Sequence, residues 1–357
     1  MIPRDPGSLD PIDPSSPAAG DVAPAHPAAP ADSTTPARPG AGTFTIEGRA
    51  APGLFVVGWL ATLIGLGAIG VALLAGGSTA AAILLTVGLA VLSVGLIAGA
   101  GAQGIERRAR GETRYPGPSP FLVFGASVPV SLLAVLIFAI PLTIAGIAVD
   151  GPIGRLASVF IQALVYVGLI RLLVVDTGAL SWAEMGVRRF DRRALGDLVT
   201  GALWAGPVIL ATIVVAGILY QLFPVTPVSP LPPTGELAGL VINLVAGAIV
   251  APIGEELLFR AFATTAWARA IGDRRALVRG ALFFAVVHVL TISGSSAGEA
   301  FGLAVVGFAS RIPVALVLGW LFLQRKSIWA PIGLHATFNA ILLIMAEIAT
   351  RNGIGPG

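Results

Sequence analysis

Apolar positions in this chain do not alternate with polar ones as in a half-buried strand, nor recur every three to four residues as on a surface helix. They come as long uncharged runs, each near the roughly 20 residues that a membrane-spanning helix needs. Nine such runs lie at about 54–76, 80–103, 121–148, 154–175, 195–222, 237–268, 277–293, 299–323 and 328–349. The pattern predicts an all-α, polytopic transmembrane helical bundle of about nine spanning helices. The third run holds Pro129 and Pro141, which membrane helices tolerate as kinks where neighbours re-satisfy the freed backbone groups. Gly95 and Gly99 make one GxxxG match, weak evidence of a tight crossing in a chain with 45 glycines.

Composition sharpens the class. With 55% hydrophobic and only 11% charged residues, the chain carries too much apolar surface for a soluble globule. The net charge of +3 comes from arginines in short loops rather than from a basic face, which argues for membrane topology and against nucleic-acid binding. There is no cysteine, so disulfides, thiolate nucleophiles and cysteine metal sites are excluded together. Residues 1–50, rich in Pro, Ala, Ser, Asp and Gly, read as a disordered tail and not as a signal peptide, with His26 as solvated coil. Residues 51–180 form a first set of transmembrane helices, and 181–350 form the region in which the chemistry is concentrated.

The arginines set the orientation. Arg107, Arg108, Arg110 and Arg114 follow the second run, and Arg188, Arg189, Arg192 and Arg193 follow the fourth. Arg274, Arg275 and Arg279 follow the sixth, and Arg325 with Lys326 follows the eighth. Basic loops after every even-numbered run predict a cytoplasmic N-terminus in a multi-pass cell-membrane protein, while the uncharged Pro224–Pro233 stretch reads as an extracytoplasmic link.

Ionisable residues inside such runs are costly unless paired or facing a wet cavity, and mark functional sites by default. Glu255, Glu256 and Arg260 sit together in the sixth run, Phe284 and His288 in the seventh, and His335 and Asn339 in the ninth. Counted from the arginine-rich ends at 1.5 Å per residue, Glu255 lies roughly 21 Å deep, His288 and Asn339 roughly 16 Å, and His335 roughly 10 Å. They can therefore converge on one cavity. Glu256 and Arg260 are spaced to pair on a helix face, leaving Glu255 without a partner of its own and suited to take a proton from water. His335 and Asn339 share a face and can offer N–H donors to a developing oxyanion, and Phe284 can fix the His288 ring by packing. Alternatively Glu255, His288 and His335 could hold a metal such as zinc that activates water.

Other readings stay open for single residues. The Glu256–Arg260 pair can be a structural lock, and a lone membrane histidine is often a polar contact between helices. Gly294–Gly298 matches GxSxG around Ser296, but it falls in a short loop between two helices, where the strand-to-helix elbow of a serine hydrolase cannot form. Arg311, in the middle of the eighth run, can pair with a buried carboxylate such as Glu255 or with a carboxylate of a substrate.

The three ordered motifs, EExxxR at Glu255–Arg260, FxxxH at Phe284–His288 and HxxxN at His335–Asn339, resemble the CPBP family. This family comprises membrane-embedded CAAX prenyl endopeptidases of type II and their bacteriocin-processing or immunity relatives, also called the Abi family. The segments SWAEMGVRR and LGWLFLQRKSIWAPIGLHATFN resemble it too, so that the likeness covers about 181–349. The resemblance implies an intramembrane endopeptidase, in which Glu255 would activate water assisted by His288, and His335 with Asn339 would hold the oxyanion. Glu256 and Arg260 would shape the site. Its substrate would be a peptide or membrane-protein segment within the lipid bilayer. A non-cleaving binding or bacteriocin-immunity protein of the same fold is the alternative, and a proton-coupled transporter is a further one, although no inverted repeat is visible in the hydropathy.

Overall fold

The computed structural model describes residues 48–225 and 231–353. The tail expected over residues 1–50 therefore falls, up to residue 47, outside the described residues, as does the middle of the Pro-rich link. Among the described residues the chain forms nine helices, one for each apolar run. They are α1 Pro52–Leu74, α2 Thr79–Ala109, α3 Pro120–Ile144, α4 Pro152–Val175, α5 Arg192–Leu222, α6 Leu237–Ile271, α7 Asp273–Val287, α8 Ala297–Arg325 and α9 Trp329–Arg351.

Eight of the nine are long and apolar enough to cross a membrane; α7, with 15 residues, is the shorter exception. Its early end has a local cause. The Phe284 carbonyl accepts from the His288 ring at 2.7 Å, while the His288 backbone N–H lies 3.4 Å from the same oxygen. Side-chain competition for a helical carbonyl weakens the ladder, and the chain passes into tight turns bonded from Val289 to Val286 and from Leu290 to Val287. The polar loop before α8 completes the excursion.

Two other helices are interrupted where proline or packing demands it. In α5 the break falls at Trp204, between Arg192–Leu203 and Ala205–Leu222, because Pro207 has no N–H to give the Leu203 carbonyl. In α6 two π-helical segments, Val245–Val250 and Leu257–Thr264, bracket the α-helical turn Ala251–Glu256 that carries both glutamates. The second is fastened by Thr264, whose hydroxyl donates to the Phe259 carbonyl five residues back at 2.8 Å. Such segments are rare and concentrate at functional sites.

Glycine governs the two closest crossings. A β-carbon at Gly58 would stand 2.9 Å from the Gly99 backbone, and one at Gly65 about 2.5 Å from that of Leu92. The GxxxG match thus marks a real seam between α1 and α2. Gly201 of α5 and Gly333 of α9 meet in the same way, since added β-carbons would fall on the carbonyl oxygens of Ala330 and Leu198. That second crossing seats α9 and, two residues past Gly333, His335.

The core lies around the second π segment, where Leu258, Phe259, Phe262 and Trp267 pack against Ile170, Met185 and Phe284. The outer face is the reverse of a soluble protein's, with Leu60, Leu63, Ile64, Ile137 and Leu210 more than half exposed. Such a coat suits a lipid surround. Contacts also gather the basic loops at one end. Gly117 lies against Ala179, Arg269 pairs with Glu184 at 2.7 Å, and Lys326 with Asp273 at 3.3 Å. The loop after α4 begins with a reciprocal cap in which Ser181 and Glu184 bond each other's backbone N–H groups. It is tied to the start of α9 by Ile328 N–H donating to Gly186 O at 3.1 Å, and Trp329 Nε1–H to Arg188 O at 3.1 Å.

Candidate active site

Three helices deliver the polar groups to one place. Glu255 and Glu256 come from the turn of α6 between its π segments, His288 from the C-terminal end of α7, and His335 from the first half of α9. Glu255 Oε2 lies 3.4 Å from His288 Nε2 and 3.8 Å from His335 Nε2. Its side chain is 19% exposed and that of His288 25%, whereas Glu256, at 0%, is sealed. The two adjacent carboxylates therefore have different environments: one borders an opening, and the other is enclosed.

Glu256 is the enclosed anchor. Its Oε1 accepts from Arg260 Nη1 at 3.0 Å and from His335 Nδ1 at 2.8 Å. The pair spaced at i,i+4 forms as expected, and the same oxygen fixes the histidine ring of another helix. Arg260 also stands over the Phe284 ring at 4.3 Å, a cation–π contact that replaces part of its lost hydration. Phe284 in turn lies 4.2 Å, centroid to centroid, from His288 and 5.8 Å from His335. One aromatic ring thus touches both imidazoles and the guanidinium.

Hydrogen-bond logic places the protons. A backbone carbonyl can only accept, so His288 Nδ1 must carry a proton toward Phe284 O. The opposite nitrogen faces a carboxylate oxygen, a contact that is favourable only if one proton lies between them. His288 Nε2 thus stands 3.4 Å from Glu255 Oε2, an approach that becomes an ion pair when the ring is protonated. On His335, Nδ1–H is given to the ionised Glu256, which leaves Nε2 facing the Glu255 side of the cavity. Glu255 Oε2, Glu256 Oε2 and Arg260 Nη2 have no hydrogen-bond partner among the described residues. Burying such atoms unpaired costs about 1–3 kcal/mol each or more when charged, so these are points at which water or a substrate amide can be held.

Two expected site residues are placed differently. Asn339 shares the α9 face with His335, but its Nδ2 donates to the Gly247 carbonyl at 2.8 Å. There it braces the first π segment of α6, with its second N–H left over. Arg311 has its Nη1 on the Gly307 carbonyl at 2.7 Å. It forms no ion pair within 4.0 Å among the described residues, although Glu255 and Tyr220 are the acidic groups in its surroundings. Ser296, in turn, is the N-cap of α8, accepting from Glu299 N–H at 3.2 Å, which gives the GxSxG stretch a capping role.

Two residues escape a reading of the sequence. Tyr166 of α4 is 5% exposed, packs near Gly254 and lies in the field of Glu255; a tyrosine in an apolar run was its only signal. Glu347 is 2% exposed and accepts from Thr234 N–H at 3.0 Å, tying the segment before α6 to the end of α9.

The donor set was also tested against a metal ion. No group of three or more His, Cys, Asp or Glu side chains among the described residues is arranged to ligate one. A divalent ion would add two positive charges beside the buried Arg260 and the nearby Arg311. Glu255, His288 and His335 come nearest to such a set, with both ring Nε2 atoms within 3.8 Å of one Glu255 oxygen.

Residues 237–341 match the family model described as Type II CAAX prenyl endopeptidase Rce1-like. No curated protein and no solved structure gives a match. The matched stretch runs from the start of α6 to just beyond Asn339, and so contains all three motifs and Arg311 between them. The match supports, over this stretch, the resemblance to the CPBP family of type II CAAX prenyl endopeptidase-like membrane proteins that EExxxR, FxxxH and HxxxN carry.

Proposed function

We propose that the protein is a glutamate-dependent intramembrane endopeptidase, with Glu255 as the base that activates water. The observation that carries this reading is the approach of His288 and His335 to the same Glu255 oxygen, at 3.4 and 3.8 Å. It joins a partly open carboxylate to two ring nitrogens whose far sides are already fixed by Phe284 O and Glu256. Such pre-fixed groups need little reorganisation when charge develops.

In the proposed reaction a water between Glu255 and the scissile carbonyl gives its proton to the carboxylate as its oxygen bonds to the carbonyl carbon. The His288 imidazolium holds Glu255 in place and keeps it ionised until that moment. The developing oxyanion is met by an N–H from His335 Nε2 when that ring is protonated, and by the remaining Asn339 N–H. Glu255 then hands its proton to the leaving nitrogen as the C–N bond breaks. A general base and an oxyanion donor each contribute about 10²- to 10³-fold. The substrate is a peptide or a membrane-anchored protein segment that reaches the cavity from the bilayer. We propose also that the arginine-rich end faces the cytoplasm, since basic loops remain on that side.

The test is cleavage of a quenched-fluorescent peptide library by the full chain in nanodiscs. Glu255→Gln and His288→Ala should each lose at least about 100-fold in kcat/KM, whereas Ser296→Ala and added chelator should leave the rate within about twofold. Wild type that cleaves nothing, or glutamine at 255 with the wild-type rate, refutes the assignment, and a binding role then leads. Loss on chelation, restored by zinc, refutes the metal-free form of the mechanism.

A further inference from the structure

Arg311 occupies the middle of α8, 14 residues from either end at Ala297 and Arg325, and so roughly 21 Å from each at 1.5 Å per residue. A cation at that depth is expected to have a partner. Its Nη1 instead turns back along its own helix to the Gly307 carbonyl at 2.7 Å, and it has no carboxylate within 4.0 Å among the described residues. Glycine at 307 makes room for it. A β-carbon there would stand 3.1 Å from Arg311 Nη1 and from the Ile292 side chain, and 3.2 Å from that of Val289. The guanidinium thus lies against the turn that immediately follows His288, at the edge of the site.

The charges reach the same residue. Arg260 is paired with Glu256 at 3.0 Å, whereas Arg311 has no carboxylate of this chain within 4.0 Å among the described residues. It is half-buried, with four further N–H directions beyond the one given to Gly307, in a fork that matches a carboxylate.

We infer that Arg311 is a specificity residue, which binds a carboxylate carried by the substrate close to the scissile bond. That carboxylate is either the peptide's own C-terminus or an Asp or Glu side chain. The inference rests on the protease reading for its consequence in turnover, but not for its binding step. Occupying Arg311 with a carboxylate would give the guanidinium a partner and fix the backbone of the substrate over Glu255.

The test uses one peptide sequence that the wild type cleaves or, where it cleaves none, binds, made in four forms: free or amidated C-terminus, each with Asp/Glu or Asn/Gln around the scissile bond. The wild type should prefer one acidic form by roughly 10-fold or more in KM, with a smaller change in kcat. The form preferred identifies the source of the carboxylate. Arg311→Gln should abolish the preference by raising KM for that form alone, and Arg311→Lys should keep part of it, because charge survives and the fork does not. The same four peptides, fluorescently labelled, are titrated by anisotropy onto Glu255→Gln protein with and without Arg311→Gln. If nothing is cleaved but this acid-over-amide binding preference is present and lost with Arg311, the protease reading fails and the carboxylate site stands. If peptides are cleaved with equal KM in all four forms, or Arg311→Gln keeps the preference, the Arg311 proposal is overturned and the protease reading is untouched. A poorly folding Arg311→Gln is replaced by Arg311→Lys, for which an undiminished preference counts against the proposal.

Discussion

The enclosed carboxylate is the place to test whether the polar cluster is held by charge balance. Glu256 is completely buried and Arg260 is 2% exposed, and the single oxygen Oε1 serves both Arg260 and His335. Glu256→Gln keeps the shape and removes the charge, leaving the guanidinium without a counter-ion and His335 Nδ1–H with at best a neutral acceptor. Breaking one side of a buried pair costs about 3–5 kcal/mol, whereas replacing both members with neutral groups is often close to neutral. Adding Arg260→Met should therefore recover most of the loss, to within about 1 kcal/mol of wild type after forfeiting the contact with Phe284. Activity should not recover, because His335 still lacks its orienting carboxylate. Steric-trap unfolding in bicelles measures the stabilities, and peptide cleavage the activities. Equal stability of the single variant and wild type, or a double variant at least as unstable as Glu256→Gln alone, would show that Arg260 draws its stability from elsewhere.

Further outcomes follow from other contacts. Gly201→Ala should destabilise by at least about 1–3 kcal/mol through overpacking against the Ala330 carbonyl, while Gly196→Ala, which meets nothing within 4 Å, should be neutral or stabilising by up to about 1 kcal/mol; thermal shift in detergent separates them. Arg269, followed by the Ser181 N–H and hydroxyl, holds the Glu184 carboxyl down to about 2. Since a depressed carboxylate stabilises above its unfolded value and loses this as pH falls through its folded one, the wild type should lose a contribution between about pH 4.5 and 2 that Glu184→Gln lacks. The exposed setting limits it to about 1 kcal/mol or less, read from unfolding midpoints across that range. Asn339→Ala should cost about 1 kcal/mol by freeing the Gly247 carbonyl; if its second N–H also serves the oxyanion, kcat falls roughly 100-fold, and a drop in stability alone would assign Asn339 to bracing.

Much of this was legible because membrane chains write their constraints plainly. Uncharged runs gave nine helices, and the cost of burying charge picked out Glu255, Glu256, Arg260, His288 and His335 before any fold was known. The depth arithmetic was coarser: it set Glu255 about 11 Å deeper than His335, yet their side chains lie 3.8 Å apart, because helices tilt and long side chains reach along the axis. What stayed hidden depends on contacts between helices. The partner of Asn339 is a carbonyl freed by a π segment, and no residue type announces such a segment. The end of α7 depends on one ring taking a helical carbonyl, and Glu347 needed the Thr234 segment to explain its burial. Arg311 posed the opposite case, since its position suggested a pair that the described residues do not contain.

The interruptions in α6 also bear on how such chains can change. Each π segment closes its ring over five residues where an α-turn uses four, so it accommodates one more residue than the same axial length of plain helix. Removing a single residue within 257–264 could restore regular winding and still leave a long apolar helix able to insert. The flanking α-helical turns would keep their phase, because the extra residue had been absorbed locally, while residues inside the former π segment would each shift by about 100°. Arg260 and the aromatic wall would then lose phase with the glutamates while hydropathy barely changed. A one-residue deletion scan across α6 should thus separate two requirements that point substitutions mix, namely the capacity to enter the bilayer and the angular phase at which its groups are presented.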